Sequence, residues 1–203
     1  MEADVWDLYY RRHPTDWKGT DLPRIEPGSR VLDVGCGTGS TLLRALESGF
    51  EASGIDFSEE AVSRAKERLS SKGLGADVMV MDILSDLGDL GEFDCILLHH
   101  MLDSLLSEER LSAVKNCRGI LREGGTISFV DLSRNDIRYG KGEPLEEGTF
   151  RKKDGIICHF FTVEEARELF DGMEEVALDK VEWEQGSGNG RIRRSRIVGL
   201  FRA

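Results

Sequence analysis

The segment VLDVGCGTGS, residues 31–40, constrains the chain more than any other. A short apolar run carrying one acid, Asp33, leads into glycines at 35, 37 and 39, and the amphipathic pattern TLLRALES follows at once. Glycine at alternate positions lets the backbone take positive φ and bring its amides close to a ligand. A strand that turns this sharply into a helix presents the helix's unpaired N–H groups at the turn, where polar and anionic groups bind. The segment therefore predicts a strand-to-helix unit with a ligand loop at the carboxyl end of its strand.

The pattern recurs downstream. EASGID (51–56) and ADVMVMD (76–82) are strand-like runs ending on acids, Asp56 and Asp82, and FDCILLHH (93–100) and TISFVDLS (126–133) are a fourth and fifth. Ser58 is placed to cap a helix whose first turn carries Glu59 and Glu60, suited to the positive end of the dipole, and Gly73 and Gly75 end it. Ser107 is expected to open a further helix, and Gly124-Gly125 to turn the chain into the fifth strand. Strands alternating with helices of this length make a parallel sheet. Thr162-x-x-Glu165 predicts a reciprocally capped helix. EEVALDKVEWE and RIRRSRIVGLFRA, joined by the Gly-rich QGSGNG, predict an antiparallel hairpin at one edge. The expected fold is α/β: a seven-stranded, mostly parallel sheet with an antiparallel terminal hairpin and helices on both faces.

A chain of 203 residues fits one domain, expected over 1–203, with an N-terminal helical region at 1–28 and a long polar surface excursion at 132–161. Asp+Glu 38 against Lys+Arg 27 gives a net charge of -11, which excludes wrapping a nucleic acid with the whole surface. The densest basic cluster, Arg191, Arg193, Arg194 and Arg196, lies in an alternating strand and is expected to be a solvated face balanced by the acids of 171–184. Cys36, Cys95, Cys117 and Cys158 stand far apart with no CxxC, so neither a disulfide framework nor a metal site is expected, and the compartment is reducing. The opening MEADVWDLYYRRH is acidic and aromatic where a leader would be basic then apolar, and no stretch approaches roughly 18 apolar residues. A cytoplasmic protein with no membrane contact is expected.

The glycine loop alone fits a tight strand-to-helix turn, and Gly35 and Gly37 also fit the first two glycines of a dinucleotide GxGxxG. Against the dinucleotide reading, its third glycine would fall on Ser40, an acid lies inside the first strand, and the third strand also ends on an acid. From residue 5 to 201 the chain resembles the class I S-adenosylmethionine-dependent methyltransferases, which have a Rossmann-like sheet. The resemblance implies S-adenosylmethionine as cofactor. It implies that Asp33, Gly35, Cys36, Gly37 and Gly39 wrap its methionine and ribose portions and that Asp56 accepts both ribose hydroxyls. It further implies that Phe57 packs on adenine, that Asp82, with Ile83 beside it, meets the adenine amino group, and that His99 approaches the methionine part. LREGG resembles the family's Lys/Arg-Pro-Gly-Gly turn, with Glu123 in place of proline. A carboxylate accepting two vicinal hydroxyls also repels a 2′-phosphate, which disfavours NADP. A nicotinamide enzyme and a non-catalytic S-adenosylmethionine-binding subunit remain the alternatives.

Methyl transfer is an in-line displacement in which positioning and exclusion of water supply most of the rate, so no catalytic base is required and none is assigned. The (Asp/Asn)-Pro-Pro-(Tyr/Phe) tetrapeptide of many amino-methyltransferases is absent, and His99-His100-Met101-Leu102-Asp103 stands in its place. His99 fits a site residue or a packed strand-end histidine, and Asp131 fits a crevice residue or a loop cap. Trp6-Asp7-x-x-Tyr10, then Phe150-Arg151-Lys152-Lys153-Asp154-Gly155 and His159-Phe160-Phe161-Thr162, are similar to segments of the tRNA 3-methylcytidine methyltransferase branch. That branch implies cytidine N3 as acceptor, with Tyr10, Trp17, His100, Asp103, Asp131 and Tyr139 as candidate substrate residues. The branch's N-terminal RNA-binding extension is expected to be missing, so that a partner protein would supply it. The compact acidic chain fits a small-molecule acceptor instead, and the oligomeric state stays open. Aromatics at helical spacing in VWDLYYRR fit core packing or a lid.

Overall fold

In the computed structural model, which describes residues 3–13, 18–187 and 190–203, alternation along the central strands sends apolar side chains to both faces of a sheet. Strand β1 (Arg30–Val34) buries Leu32 and Val34 on one face and Val31 on the other. Strand β4 (Phe93–His99) does the same with Phe93, Ile96 and Leu98 against Cys95 and Leu97. Strands buried on both faces need helices on both sides. Helices α2 (Ser40–Glu47) and α3 (Glu59–Ser71) cover one face with Leu42, Ala45, Val62, Ala65 and Leu69. Helices α4 (Ser107–Gly119) and α5 (Val163–Leu169) cover the other with Ala113, Val114, Cys117 and Ala166.

The remaining strands of this sheet are β2 (Glu51–Asp56), β3 (Val78–Val80), β5 (Leu121–Leu132), β9 (Glu174–Ser187) and β10 (Gly190–Arg202). Their order is β3-β2-β1-β4-β5-β10-β9; the sheet is parallel as far as β5 and ends in an antiparallel hairpin, the seven-stranded arrangement that the sequence predicts. The chain runs outward from β1 to β3 and then crosses to β4, so loops diverge above the carboxyl ends of β1 and β4 and open a crevice there.

Several boundaries differ from expectation. Strand β5 starts at Leu121, with Gly124 and Gly125 inside it, and the pairing with β4 shifts register between Phe93 and Cys95. Ser107 is the first helical residue of α4, not its cap; the Leu106 amide ahead of it donates to Glu109 Oε2 at 2.8 Å. Only half of the box at α5 forms: Thr162 Oγ1 accepts from the Glu165 amide at 3.0 Å, while the Glu165 carboxylate turns to His159 Nε2 at 2.8 Å.

The largest correction concerns the excursion after β5. It folds into a second, three-stranded antiparallel sheet of β6 (Glu143–Glu146), β7 (Thr149–Arg151) and β8 (Ile157–His159). Leu132, Cys158 and Phe160 make a small core of their own, with Phe150 against it. Strands of three or four residues bury two side chains at most, and β6 none, too few for a periodic signal, and the polar majority masked them. Helix α1 (Ala3–Arg12) packs on α3: Asp7 Oδ1 accepts from Ser58 Oγ at 2.5 Å, and Arg64 donates to the Tyr10 carbonyl at 2.9 Å. All four cysteines are buried free thiols. No helix among the described residues is long and apolar enough to cross a membrane.

Candidate active site

The glycine loop sits in the crevice with Gly35, Gly37 and Gly39 at φ of 67°, 53° and 78°. Space as well as φ demands glycine, since a Cβ on Gly35 would stand 2.5 Å from Met101 Cγ and one on Gly37 2.9 Å from the Tyr10 hydroxyl. Asp56, at the end of β2, is buried, yet both its oxygens are already aimed by the backbone. Oδ2 accepts from the Gly37 amide at 2.8 Å and Oδ1 from the Ser58 amide at 2.9 Å. Each oxygen keeps a lone pair for a further donor. Burial pushes the Asp56 carboxyl up to about 6 in spite of these bonds. Asp33 is buried more deeply, and its Oδ2 has no hydrogen-bond partner. Burial, and then the neighbouring Asp56, push its carboxyl up to about 7. Two unspent buried carboxylates beside amides at a turn suit a ligand that brings hydroxyls and positive charge.

Two cavities open from this point. The first, about 490 Å³, lies between the loop and α1, with Phe57, Met81 and Ile83 as apolar walls and the exposed Asp82 at its rim. The second and larger, about 1740 Å³, extends under the small sheet and β10. They meet at Trp6, Tyr10, Gly35, His100 and Ser104, which line both. The structure thus brings Tyr10, Gly35, Cys36, Gly37, Asp56, Phe57, Asp82, Ile83, His99, His100 and Asp103 to one continuous space.

Other expected residues fall elsewhere. Tyr139 lies outside both cavities, its ring edge-on to Phe150 and Phe160 at 5.4 and 5.6 Å; it covers the small core. Trp17 lies outside the described residues. His99 lines the second cavity, but both ring nitrogens are spent, Nδ1 on the Thr20 hydroxyl and Nε2 on the Ser128 hydroxyl at 2.9 Å. Burial lowers its pKa to about 3, so the ring is neutral and fixed.

His100 is the one non-glycine residue among those described with positive φ, 56°. Such a backbone costs on the order of 1 kcal/mol. Its Nδ1 stands 3.6 Å from Asp131 Oδ1, an atom that is buried with no hydrogen-bond partner. Asp131 Oδ2 accepts from the Asp103 amide at 3.2 Å. Burial and then Asp131 push the Asp103 carboxyl up to about 7, and burial holds Asp131 well above the usual range. One ligand atom from each of His100, Asp103 and Asp131 lies within 4.8 Å of the others. Burial holds the His100 ring below its ordinary pKa; Asp103 opposes this, and Arg138, Arg196 and Arg194 add to it. Among the cavity residues that sequence reasoning did not assign are Trp6, Thr20, Arg138, Lys152, Arg194 and Arg196. Their signal is spatial: they come from five separate segments.

A doubly wound sheet with a glycine loop after its first strand, an acid ending its second and an apolar-walled cavity between them defines a domain that binds a nucleoside-bearing cofactor. Residues 31–125 match the family model described as a methyltransferase domain. The tRNA N(3)-methylcytidine methyltransferase of Drosophila melanogaster is 28% identical over 201 residues, covering 85% of this chain and 62% of that protein. A ubiquinone biosynthesis O-methyltransferase of Coxiella burnetii is 31% identical over 112 residues, covering 55% of this chain and 47% of that protein. A solved S-adenosylmethionine-dependent methyltransferase from Methanosarcina mazei superposes with a TM-score of 0.75 at 24% identity, over 90% of this chain and 98% of that one. Residues 31–125 thus carry a methyltransferase domain, and S-adenosylmethionine is the cofactor that this likeness indicates. The chain spans between 31% and 62% of the length of the tRNA cytidine methyltransferases it matches.

Proposed function

We propose that residues 1–203 act as one methyltransferase domain, with the adenosine of the cofactor in the first cavity and the acceptor in the second. The observation that carries this reading is the continuity of the two cavities at Tyr10, Gly35 and His100, which puts the junction at the glycine loop. Asp56 takes the ribose hydroxyls on its free lone pairs, Phe57 and Ile83 flank the base, and Asp82 meets its amino group. Asp33, Cys36, Gly37 and Gly39 line the methionine part, with His99 as a fixed wall. When bound, S-adenosylmethionine supplies a methyl group on a sulfonium. The chain holds the acceptor in line with it and excludes water, with α1 closing over both as a lid.

The acceptor best supported is a tRNA cytidine N3. The likeness to the Drosophila protein runs over 201 residues and so takes in the small sheet as well as the cofactor half. N3 attacks as a neutral nitrogen and the ring leaves cationic, so no base is needed. Asp103 and Asp131 supply the countercharge, and Tyr10 and His100 the flanking rings. An RNA acceptor also agrees with a cytoplasmic protein and with a partner that adds RNA contacts. A small-molecule acceptor is the second reading, favoured by the likeness to the O-methyltransferase of Coxiella burnetii.

The test is transfer of labelled methyl to unmodified tRNA, with and without cell extract, beside a panel of small thiols, amines and acids. The cytidine reading expects label recovered as 3-methylcytidine. Label on a small acceptor with tRNA silent overturns it in favour of the second reading.

A further inference from the structure

Five cations, Lys18, Arg138, Lys152, Arg194 and Arg196, line the second cavity beside only two carboxyls, Asp21 and Asp103, in a chain whose net charge is -11. Their charge is only partly balanced nearby. Asp136 accepts from Arg138 Nε at 2.7 Å and from Arg194 Nε at 2.9 Å, so one carboxylate serves two guanidiniums. Burial alone would raise the Asp136 carboxyl; the two arginines overcome it and hold that carboxyl well below its ordinary range. Arg194 spends its remaining bond on the neutral Gln185. Among the described residues Lys152 makes no ion pair, and it reaches Asp103 only through space. The Arg196 guanidinium lies 5.5 Å from the Trp183 ring centre. The nearest carboxylate oxygen to it, on the exposed Asp21, is 3.9 Å away, and its buried Nε has no hydrogen-bond partner.

The other half of the arginine cluster behaves differently. Arg191 and Arg193 point to the opposite side of β10 and are spent on Glu184 at 2.8 Å and Glu182 at 2.7 Å. Strand alternation therefore splits the cluster into a balanced outer face, as the sequence leads one to expect, and an unbalanced cavity wall. Unbalanced cations facing a chamber that must also admit a sulfonium repel the cofactor unless an anion joins them.

We propose that the second cavity contains an oxyanion subsite for the acceptor, in which Lys152 and Arg196 hold a phosphate or carboxylate of the same molecule whose nucleophile faces His100 and Asp103. This rests on the second cavity being the acceptor chamber. The acceptor is then an anion: a nucleotide with its own phosphate, or an organic acid. The rival source of the same chemistry is the carboxylate of the cofactor's methionine part.

The experiment titrates the full chain, saturated with S-adenosylhomocysteine, with cytidine, cytidine 5′-monophosphate and benzoate, read by calorimetry or ligand-observed NMR. The monophosphate is expected to bind about tenfold more tightly than cytidine, an advantage that K152A/R196Q removes and R191Q/R193Q leaves intact. S-adenosylhomocysteine affinity is expected to stay within about twofold in both variants. Benzoate binding with the same pattern of variant sensitivity, and no preference between the two nucleosides, supports the subsite with an organic acid as its source. Equal binding of all three probes overturns the subsite, as does equal loss in the two variants. Phosphate that binds the bare chain and is displaced by S-adenosylhomocysteine overturns it too, because the cations then serve the cofactor. Should K152A/R196Q fail to fold, R196K and the single K152A take its place, the first expected to keep the preference and the second to weaken it. A chain that binds no S-adenosylhomocysteine fails the methyltransferase reading instead, and inorganic phosphate titrated into the bare chain still judges the subsite.

Discussion

Asp56 shows how much of this site is decided by single side chains. Two amides aim its oxygens, and its burial makes the carboxylate an unusually strong acceptor for any hydroxyl that reaches it. Asp56→Ala is expected to weaken S-adenosylmethionine binding by on the order of 2–4 kcal/mol, roughly 30- to 1000-fold, with the fold intact by circular dichroism. Unchanged affinity in a calorimetric titration would remove the residue from the site. The raised carboxyls also link binding to pH. Asp33 near 7 and Asp56 near 6 are partly protonated in the unbound protein at pH 6, and a sulfonium favours their ionised forms. Affinity is therefore expected to rise from pH 5.5 to pH 7.5 with release of protons, seen as a binding heat that changes with the ionisation enthalpy of the buffer. Asp33 and Asp56 are legible in sequence because each ends or interrupts an apolar strand beside the glycines. His99 is not: its partners Thr20 and Ser128 lie 79 and 29 residues away, and only the fold shows that its nitrogens are spent.

Elements differ in how clearly the sequence announces them, and the difference follows burial. β1, β2 and β4 are apolar runs between glycines and acids, and the helices after β1 and β2 mark them as strands of a parallel sheet. The small sheet of β6, β7 and β8 is built of strands of three or four residues with few buried side chains, so its local pattern is weak. Yet it supplies Lys152 and Cys158 to the second cavity. Helix α1 is the element on which function turns. Its Asp7 accepts from Ser58, the residue that caps α3 and whose amide aims Asp56, so α1 is tied to the turn that takes the ribose on the proposed reading. Asp7→Ala is expected to raise amide exchange across α1 while leaving β1 and β4 protected. It should also weaken S-adenosylhomocysteine binding by about 1–2 kcal/mol, the worth of a charged hydrogen bond. Ligand should restore the protection in the natural chain. Exchange in α1 that responds neither to the substitution nor to ligand would make it a fixed part of the core.

Across the whole molecule the stored cost is electrostatic. Asp33, Asp56 and Asp103 all have carboxyls raised in the folded state, so the fold binds their protons more tightly than the unfolded chain does. The resulting loss of stability begins as pH rises past the ordinary carboxyl value near 4 and is complete above about 7. Asp136 acts in the opposite sense: its lowered carboxyl contributes stability above pH 4, lost as the solution becomes more acidic. Together they place the stability maximum of the unbound protein on the acid side of neutrality. Thermal unfolding is expected to show Tm falling between pH 5 and pH 7.5 and then levelling. A net charge of -11 adds a general self-repulsion, but salt screens that term and not a burial penalty. The decline should therefore persist in about 0.5 M sodium chloride, where the Debye length is only a few ångströms. Asp33→Asn should flatten it and raise Tm at pH 8 in the unbound protein, by on the order of 2 kcal/mol in stability, while weakening S-adenosylmethionine binding. A decline that vanishes in salt, or an Asp33→Asn variant less stable than the natural chain at pH 8, would mean that surface repulsion and not these buried carboxyls sets the pH response.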